Sequence, residues 1–164
     1  MKLGAVYSKE KTTFTLFSPV ADSVFVIFYD KGNDSTETGR LEMMRGEGEL
    51  RSIFSATAEG NLDGVYYTYE VHTSDGTFSS HDPYARACGV NGHRSMVIDL
   101  SKTDPDGFAD EDRPKLADPM SMVITEVSVA DVSAGSSGHS GYRGKFKAFT
   151  EDKTLSYVKD MGVT

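Results

Sequence analysis

The most constraining stretch of this 164-residue chain is residues 12–32, TTFTLFSPVADSVFVIFYDKG, which predicts two short β-strands at 12–17 and 23–29. Pro19 lies between them and marks a corner, because proline has no amide hydrogen to donate to a sheet. In the second strand both faces are apolar: one carries Val24, Val26 and Phe28, and the other carries Phe25, Ile27 and Tyr29. Such a strand is covered on both faces. We therefore expect one face in a core and the other against a further layer; the alternative is a central core strand without a further role.

More short strands follow in the first hundred residues. The clearest is residues 65–72, VYYTYEVH, whose alternation places Tyr67 and Tyr69 together on one face. A Ser-Asp-Gly sequence at 74–76 predicts a hairpin turn after it. Weaker strand patterns lie at residues 5–7, 40–44 and 50–56. Several short strands with frequent turns and no helical period predict a β-sandwich for residues 1–100.

Charge and composition exclude several classes of protein. The formal net charge of −8 argues against nucleic acid and anionic membrane surfaces as partners. No apolar run approaches the ~20 residues needed to span a bilayer. The sequence MKLGAVYSKEK at the start lacks the apolar region of a signal peptide, which leaves the compartment open between cytoplasm and exterior. The single cysteine, Cys88, excludes a disulfide within the chain.

The character of the sequence changes after the predicted sandwich. Residues 101–119 are acidic and contain three prolines, which predicts an extended connector. Residues 120–132 contain a strand-like run, and residues 151–161 predict a helix with Thr150 as its N-cap and Gly162 as its stop. Strand, helix and the first residues of another strand are the opening of a βα repeat. Residues 120–164 therefore predict the incomplete start of a larger domain.

Four segments carry a resemblance to a known family: LGAVYSKEKTTFTLFSPVADSVFVIFYDKG, DGVYYTYEV, DPYARACGVNGHRSMVIDLSKTDPDGF and KDMGVT. Together they resemble the type I pullulanases, bacterial starch- and glycogen-debranching enzymes of the α-amylase superfamily. The resemblance implies a mainly β fold in which residues 1–100 form an immunoglobulin-like early-set β-sandwich, the carbohydrate-binding module of family 48. It also implies that residues 120–164 are a truncated first βα unit of the catalytic (β/α)8 barrel.

One segment departs from the family pattern. The family's first barrel strand reads VIYEVHVRDFS, whereas this chain has VITEVSVADVS. Smaller side chains stand at Thr125, Ser128, Ala130 and Val132. Drift in a fragment without use and deliberate editing both explain such a pattern, and one sequence does not separate them.

The chain shows no predicted catalytic or metal-binding constellation. Retaining glycoside hydrolysis needs two carboxylates about 5–5.5 Å apart, and the resemblance implies that both come from barrel strands beyond Thr164. Glu126 and Asp131 match no catalytic position of the family, so we interpret them as structural. The four histidines lack metal-ligand spacing. We therefore expect no catalytic residues, no metal and no cofactor in this chain, and we expect the parent protein to be the enzyme.

Two functions remain open for such a module. The first is docking on the rest of the catalytic barrel, for which the predicted apolar residues are Phe17, Phe25, Ile27 and Tyr29. The second is weak binding of α-glucan, for which Tyr29 and Tyr66 are the candidate stacking rings. A standalone glucan-binding or protein-interaction sandwich is the alternative to a module of a larger enzyme. We also predict self-association through residues 122–129, because an unpaired apolar strand attracts other strand edges.

Overall fold

The computed structural model describes residues 1–111, 115–134 and 141–164. The chain divides into two compact units, Met1–Asp106 and Gly107–Thr164. This boundary lies within the predicted acidic connector. None of the helices in these described ranges is long and apolar enough to cross a membrane.

The first unit consists of nine short β-strands. They are β1 (Gly4–Tyr7), β2 (Lys11–Phe17), β3 (Ser23–Tyr29), β4 (Glu37–Arg45), β5 (Ile53–Glu59), β6 (Tyr66–Thr73), β7 (Gly76–Ser80), β8 (Ala87–Cys88) and β9 (Ser95–Met96). Their order is β1-β2-β5-β4-β3-β6-β9-β8, and β7 pairs with β6. Neighbouring strands pair in antiparallel fashion. The mainly β architecture predicted from the sequence is confirmed.

Strand β4 connects the two halves of this curled sheet. Residues from Glu37 to Met43 pair with β3, whereas Met44 and Arg45 pair with β5. Side chains from both halves meet in one core: Phe14, Leu16, Ala21, Val24, Val26, Met43, Phe54, Tyr67, Tyr69 and Val97. The sheet thus folds over on itself and buries one face of each half, which is the arrangement of a β-sandwich.

The observed strand limits follow the sequence pattern closely in the core and less closely at the edges. Strand β3 has the predicted limits, and Tyr67 and Tyr69 of β6 are fully buried as predicted. The strand predicted at residues 50–56 begins later, at Ile53, because Gly48–Leu50 forms a 3₁₀ turn. Strand β7 was not predicted, since all five of its residues are exposed and carry no alternating pattern.

The second unit contains two helices, α1 (Val129–Ala134) and α2 (Asp152–Asp160), and 3₁₀ turns that include Phe146–Thr150. The predicted N-cap is wrong: Thr150 belongs to that 3₁₀ turn, where its hydroxyl donates to the carbonyl of Lys147, and Glu151 occupies the cap position. The predicted stop is confirmed, because Gly162 has a φ of 75°, in the left-handed region that favours glycine at helix ends.

The strand predicted within residues 120–132 is also wrong, since residues 122–128 have no regular secondary structure and helix α1 begins at Val129. Among the described residues, the long-range hydrogen bonds of this stretch join Val123 to the chain end. The carbonyl of Val123 accepts from the amide of Thr164 at 3.3 Å, and the Val123 amide donates to the Thr164 hydroxyl at 3.0 Å. A strand requires a ladder of such bonds, and two contacts at one residue do not make one.

Candidate functional site

The outer face of β3 is the first candidate surface, and charged side chains of its neighbours cover it. The Arg40 guanidinium lies 5.7 Å from the centroid of the Phe25 ring, and the ring of His72 packs edge-on against Phe25 at 5.5 Å. Ile27 is only 3% exposed, between its cross-strand partners Arg40 and Thr68. Ile27 therefore offers almost no surface to a docking partner, and docking through this face stays a prediction. The apolar layer is covered by arginine and histidine from the same sheet, because long charged side chains can lay their stems and planes on apolar surface.

The cover is tied together by ion pairs. Arg40 donates to both carboxylate oxygens of Glu37 at 2.9 Å and contacts Glu70 at 3.4 Å, and Glu70 in turn contacts His72 at 2.9 Å. The hydrogen bonds from Arg40 hold the pKa of Glu37 below its ordinary value. These groups are partly exposed, so the ion pairs contribute little to stability. Their effect is to fix the position of Arg40 above Phe25.

At the other end of the same face, Tyr29 and Tyr66 are cross-strand partners. The guanidinium of Arg94 stacks on Tyr29 with its carbon 3.5 Å from the ring centroid. It also donates to the carbonyl of Lys31 and to the hydroxyl and carbonyl of Ser35, each at 2.8 Å. One face of the Tyr29 ring is thus occupied. Tyr66 is partly exposed, and no cation from the described residues stacks on its ring.

Two glycines allow the loop after β3 to lie in contact with the segment between β8 and β9. A Cβ added to Gly32 would lie 2.8 Å from the Cα of Gly89 and 3.1 Å from the Tyr66 ring. A Cβ added to Gly89 would lie 2.6 Å from the Cα of Gly32. The absence of a side chain at both positions allows the two backbones to touch. Arg94 and this contact were not predicted from the sequence. The only signal was that Gly89 and Arg94 lie in the family-like segment DPYARACGVNGHRSMVIDL.

The predicted docking residues do not all lie on adjacent strands. Phe17 lies on β2, in the other half of the curled sheet, opposite Ile53 of β5. It is 53% exposed, whereas Phe25 and Tyr29 on β3 are only partly exposed. Phe17 is therefore the most accessible of the four, and the structure does not gather them into one surface strip.

A buried carboxylate that sequence reasoning also missed fastens the segment after β7 to the sheet. Asp82 accepts hydrogen bonds from the hydroxyls of Tyr67 at 2.7 Å and Tyr69 at 3.2 Å, and from the amide of Tyr84 at 2.8 Å. Its own amide donates to the hydroxyl of Ser95 at 2.8 Å. Burial raises the pKa of both Tyr67 and Tyr69, and the nearby Asp82 carboxylate raises the pKa of each further. A buried carboxylate with this many donors is structurally satisfied.

Acidic residues, histidines and the cysteine are the remaining groups that the sequence singled out. Glu126 and Asp131 are both exposed in the second unit. No group of three or more histidine, cysteine, aspartate or glutamate side chains in the described ranges is placed to hold a metal ion. Cys88 is exposed and free. His139 lies outside the described residues.

Comparisons with known proteins give a consistent result. The chain is 30% identical over 173 residues to a pullulanase of Bacillus subtilis (strain 168), an alignment that covers 99% of this chain and 23% of that protein. It is 28% identical over 178 residues to pullulanase 1, chloroplastic, of Arabidopsis thaliana, covering 99% of this chain and 18% of the relative. The chain thus spans about a quarter or less of the length of these relatives.

Solved structures agree with the fold. The pullulanase of Paenibacillus barengoltzii, determined in complex with maltohexaose and α-cyclodextrin, matches 99% of this chain and 26% of its own with a TM-score of 0.87 and 34% identity. The pullulanase of Bacillus acidopullulyticus matches with the same TM-score and identity, over 99% of this chain and 21% of its own. The sequence model of carbohydrate-binding module 48, the isoamylase N-terminal domain, matches residues 2–85, about half of the chain. This chain therefore belongs to the carbohydrate-binding module 48 family.

Proposed function

We propose that this chain is the non-catalytic N-terminal part of a pullulanase-type glycosidase that cleaves α-1,6 branches of glucans, and that it docks on the catalytic barrel. The observation that carries this proposal is the extent of the match. Pullulanases align with 99% of the chain, through both compact units, whereas the family model ends at residue 85. The second unit therefore also has a counterpart in those enzymes.

Exposed apolar side chains in the second unit support the docking role. Met120 is 94% exposed, Phe146 83% and Ile124 79%. We take these side chains as candidates for packing against another protein segment, because contiguous exposed apolar surface is typical of interaction sites. We propose that further strands and helices of the barrel cover them in the parent enzyme. In the sandwich, the geometry favours Phe17 as the docking residue because its side chain is exposed. Phe25, Ile27 and Tyr29 lie beneath charged side chains and support the docking surface from below.

The chain itself is proposed to lack hydrolase activity. Glycoside hydrolysis requires two carboxylates at a defined separation on either side of the scissile bond. The buried carboxylate of Asp82 is saturated by tyrosine hydroxyls and an amide, which removes it as an acid or nucleophile. The parent protein is the hydrolase, and this chain contributes a docking surface for the barrel and stabilises the enzyme.

A fusion tests the docking role. The chain is joined to the part of Bacillus subtilis pullulanase that follows the matched segment, and pullulan hydrolysis is measured beside that part expressed alone. We expect the fusion to hydrolyse pullulan and the part alone to be inactive or insoluble. A fusion that unfolds cooperatively but has no activity, or a part that is fully active alone, contradicts the proposal.

We also propose contact with α-glucan, which the family's carbohydrate-binding description supports. On the outer face only Tyr66 remains a candidate ring, because Arg94 covers Tyr29. Retention of the purified chain on insoluble amylopectin tests the contact, with bovine serum albumin as the control protein. Recovery of the chain in the unbound fraction, together with albumin, argues against this contact.

A further inference from the structure

The first unit contains a groove of about 650 Å³ along the free edge of β1, and neither Tyr29 nor Tyr66 lines it. One wall is β1 with Ala5, Val6 and Tyr7, and the other is the segment from Met96 to Ser101. Strand β1 is the last strand of the sheet order, so no other strand in the described ranges pairs with its outer edge. A volume between 300 and 1,000 Å³ is typical of ligand sites.

Aromatic and apolar side chains line the groove on its open side. Tyr84 is 46% exposed, and Val6 and Leu100 are exposed as well. The backbone of Tyr84 is held in place, since its amide donates to the buried carboxylate of Asp82 at 2.8 Å. A Cβ on Gly4 would lie 2.7 Å from the Cβ of Tyr84, which shows how closely β1 approaches it. A partly exposed ring on such a fixed backbone is suited to stacking against a sugar ring.

Unused hydrogen-bond donors accompany these rings. Lys2 and Arg86 line the groove, are exposed, and make no hydrogen bond or ion pair with the described part of the chain. The carboxylate of Asp99 is nearly buried and accepts from the amide and hydroxyl of Ser101 at 3.1 and 2.6 Å. The groove thus combines apolar surface with a few polar groups of both charges, which fits a hydroxyl-rich neutral ligand better than a strongly charged one.

A peptide strand is the competing occupant of a free sheet edge, and the backbone of β1 disfavours it. The strand has only four residues, and the φ of Gly4 is +85°, outside the extended range. Three extended residues offer a short ladder for strand addition. We infer that the groove between β1 and residues 96–101 binds an α-glucan chain, with Tyr84 as the stacking ring and Lys2 and Arg86 as donors to sugar hydroxyls. This inference rests on the glucan contact proposed above and names its location.

Titration of the full chain with maltohexaose tests the location. Binding is measured by calorimetry for the wild type, for Tyr84→Ala and Arg86→Ala in the groove, for Tyr66→Ala as the rival candidate on the outer face, and for Phe78→Ala as the control, an exposed ring on β7 that does not line the groove. We expect Tyr84→Ala to weaken binding about tenfold, as the loss of one stacking contact predicts. Arg86→Ala should weaken it by a smaller factor, and Phe78→Ala should leave it unchanged. Arg86 is exposed and makes no hydrogen bond or ion pair with the described residues, so we expect its replacement to leave the fold intact.

Two results overturn the inference. If Tyr66→Ala abolishes binding while both groove variants bind as the wild type does, glucan contact stands and the groove is the wrong place for it. If the wild type gives no saturable heat with maltohexaose, both the groove as a binding site and the proposed glucan contact are contradicted. The docking role is then still tested separately by the fusion with the Bacillus subtilis barrel.

Discussion

At the scale of single residues, the first unit is organised by one buried carboxylate. Asp82 is reached by two tyrosine hydroxyls from the core and by the amide of Tyr84 in the loop that follows β7. Because the core side of the sheet is apolar, an unpaired tyrosine hydroxyl there would be costly. The carboxylate satisfies both hydroxyls and thereby ties the loop after β7 to β6.

Tyr67 provides the first test. Its ring is fully buried and packs edge-on against Phe14 at 5.0 Å. Tyr67→Ala should lower the free energy of unfolding by about 3–5 kcal/mol, and Tyr67→Phe, which removes only the hydroxyl, by about 1–3 kcal/mol. Urea denaturation measures both, with Tyr84→Phe as the exposed control. A loss below about 1 kcal/mol for Tyr67→Ala would mean that the ring makes no essential core contact.

Asp63 provides a test of pH dependence. The hydrogen bond from the Lys102 ammonium at 2.6 Å, with that from the Asp99 amide at 2.8 Å, holds the pKa of Asp63 below its ordinary value of 3.8. The unfolded chain therefore takes up this proton before the folded chain does as pH falls. The stabilisation is complete above about pH 4 and is lost as pH falls through the depressed folded pKa.

Asp63→Asn should flatten the decline of unfolding free energy below about pH 4, since asparagine does not titrate in that range. Lys102→Met should act in the same direction, because it removes the main cause of the shift. Urea denaturation between pH 2.5 and 6 measures the slopes. Wild type and both variants with the same slope would exclude the Asp63–Lys102 pair as a source of acid sensitivity.

At the scale of elements, the sequence predicted the strands that form the core and missed features that depend on distant residues. Alternation in β3 and β6 identified the buried face, because burial imposes a two-residue period on the side chains. The same pattern indicated that the second face of β3 is covered. It did not identify Arg40 and Arg94 as the cover, since both reach it from other strands and loops. The strand predicted at residues 122–129 did not form. A strand requires neighbouring strands to pair with, and the local sequence does not determine whether such neighbours are present.

The contact between the loop after β3 and the segment before β9 is an element-scale prediction. Gly89 has a φ of −74°, so alanine is compatible with its backbone, and the only obstacle is the Gly32 backbone. Gly89→Ala should cost about 1–3 kcal/mol from overpacking. The control is Gly39→Ala, where the added Cβ meets its nearest neighbour in Phe28 at 3.9 Å and should cost little. Equal unfolding free energies for the two variants in urea would show that the loop shifts freely.

At the scale of the whole molecule, the two units differ in how completely they bury their apolar residues. The first unit encloses a single core of ten buried residues. In the second unit, the described residues include only Ser133 and Ala148 as buried positions. We therefore expect residues 1–106 to unfold cooperatively alone, and the second unit to depend on further contacts.

Self-association follows from the same difference and stays a prediction. Residues 122–129 include exposed Met122, Ile124 and Val127, and among the described residues only Val123 of this stretch is hydrogen-bonded to the chain end. The full chain should form dimers or larger species through this segment, whereas residues 1–106 should remain monomeric. Light scattering over a range of concentrations measures both masses. A full chain that is monomeric at high concentration contradicts the prediction.

We propose that this chain works through its surfaces and performs no hydrolysis. The most direct test is to incubate the purified chain with pullulan and to measure the release of reducing ends. We predict no release above a buffer blank at any pH from 4 to 8, because we propose that the two carboxylates required for glycoside hydrolysis lie in the part of the parent enzyme outside this chain. Reducing ends that increase with time, and whose rate follows the protein peak through size-exclusion chromatography, would contradict it.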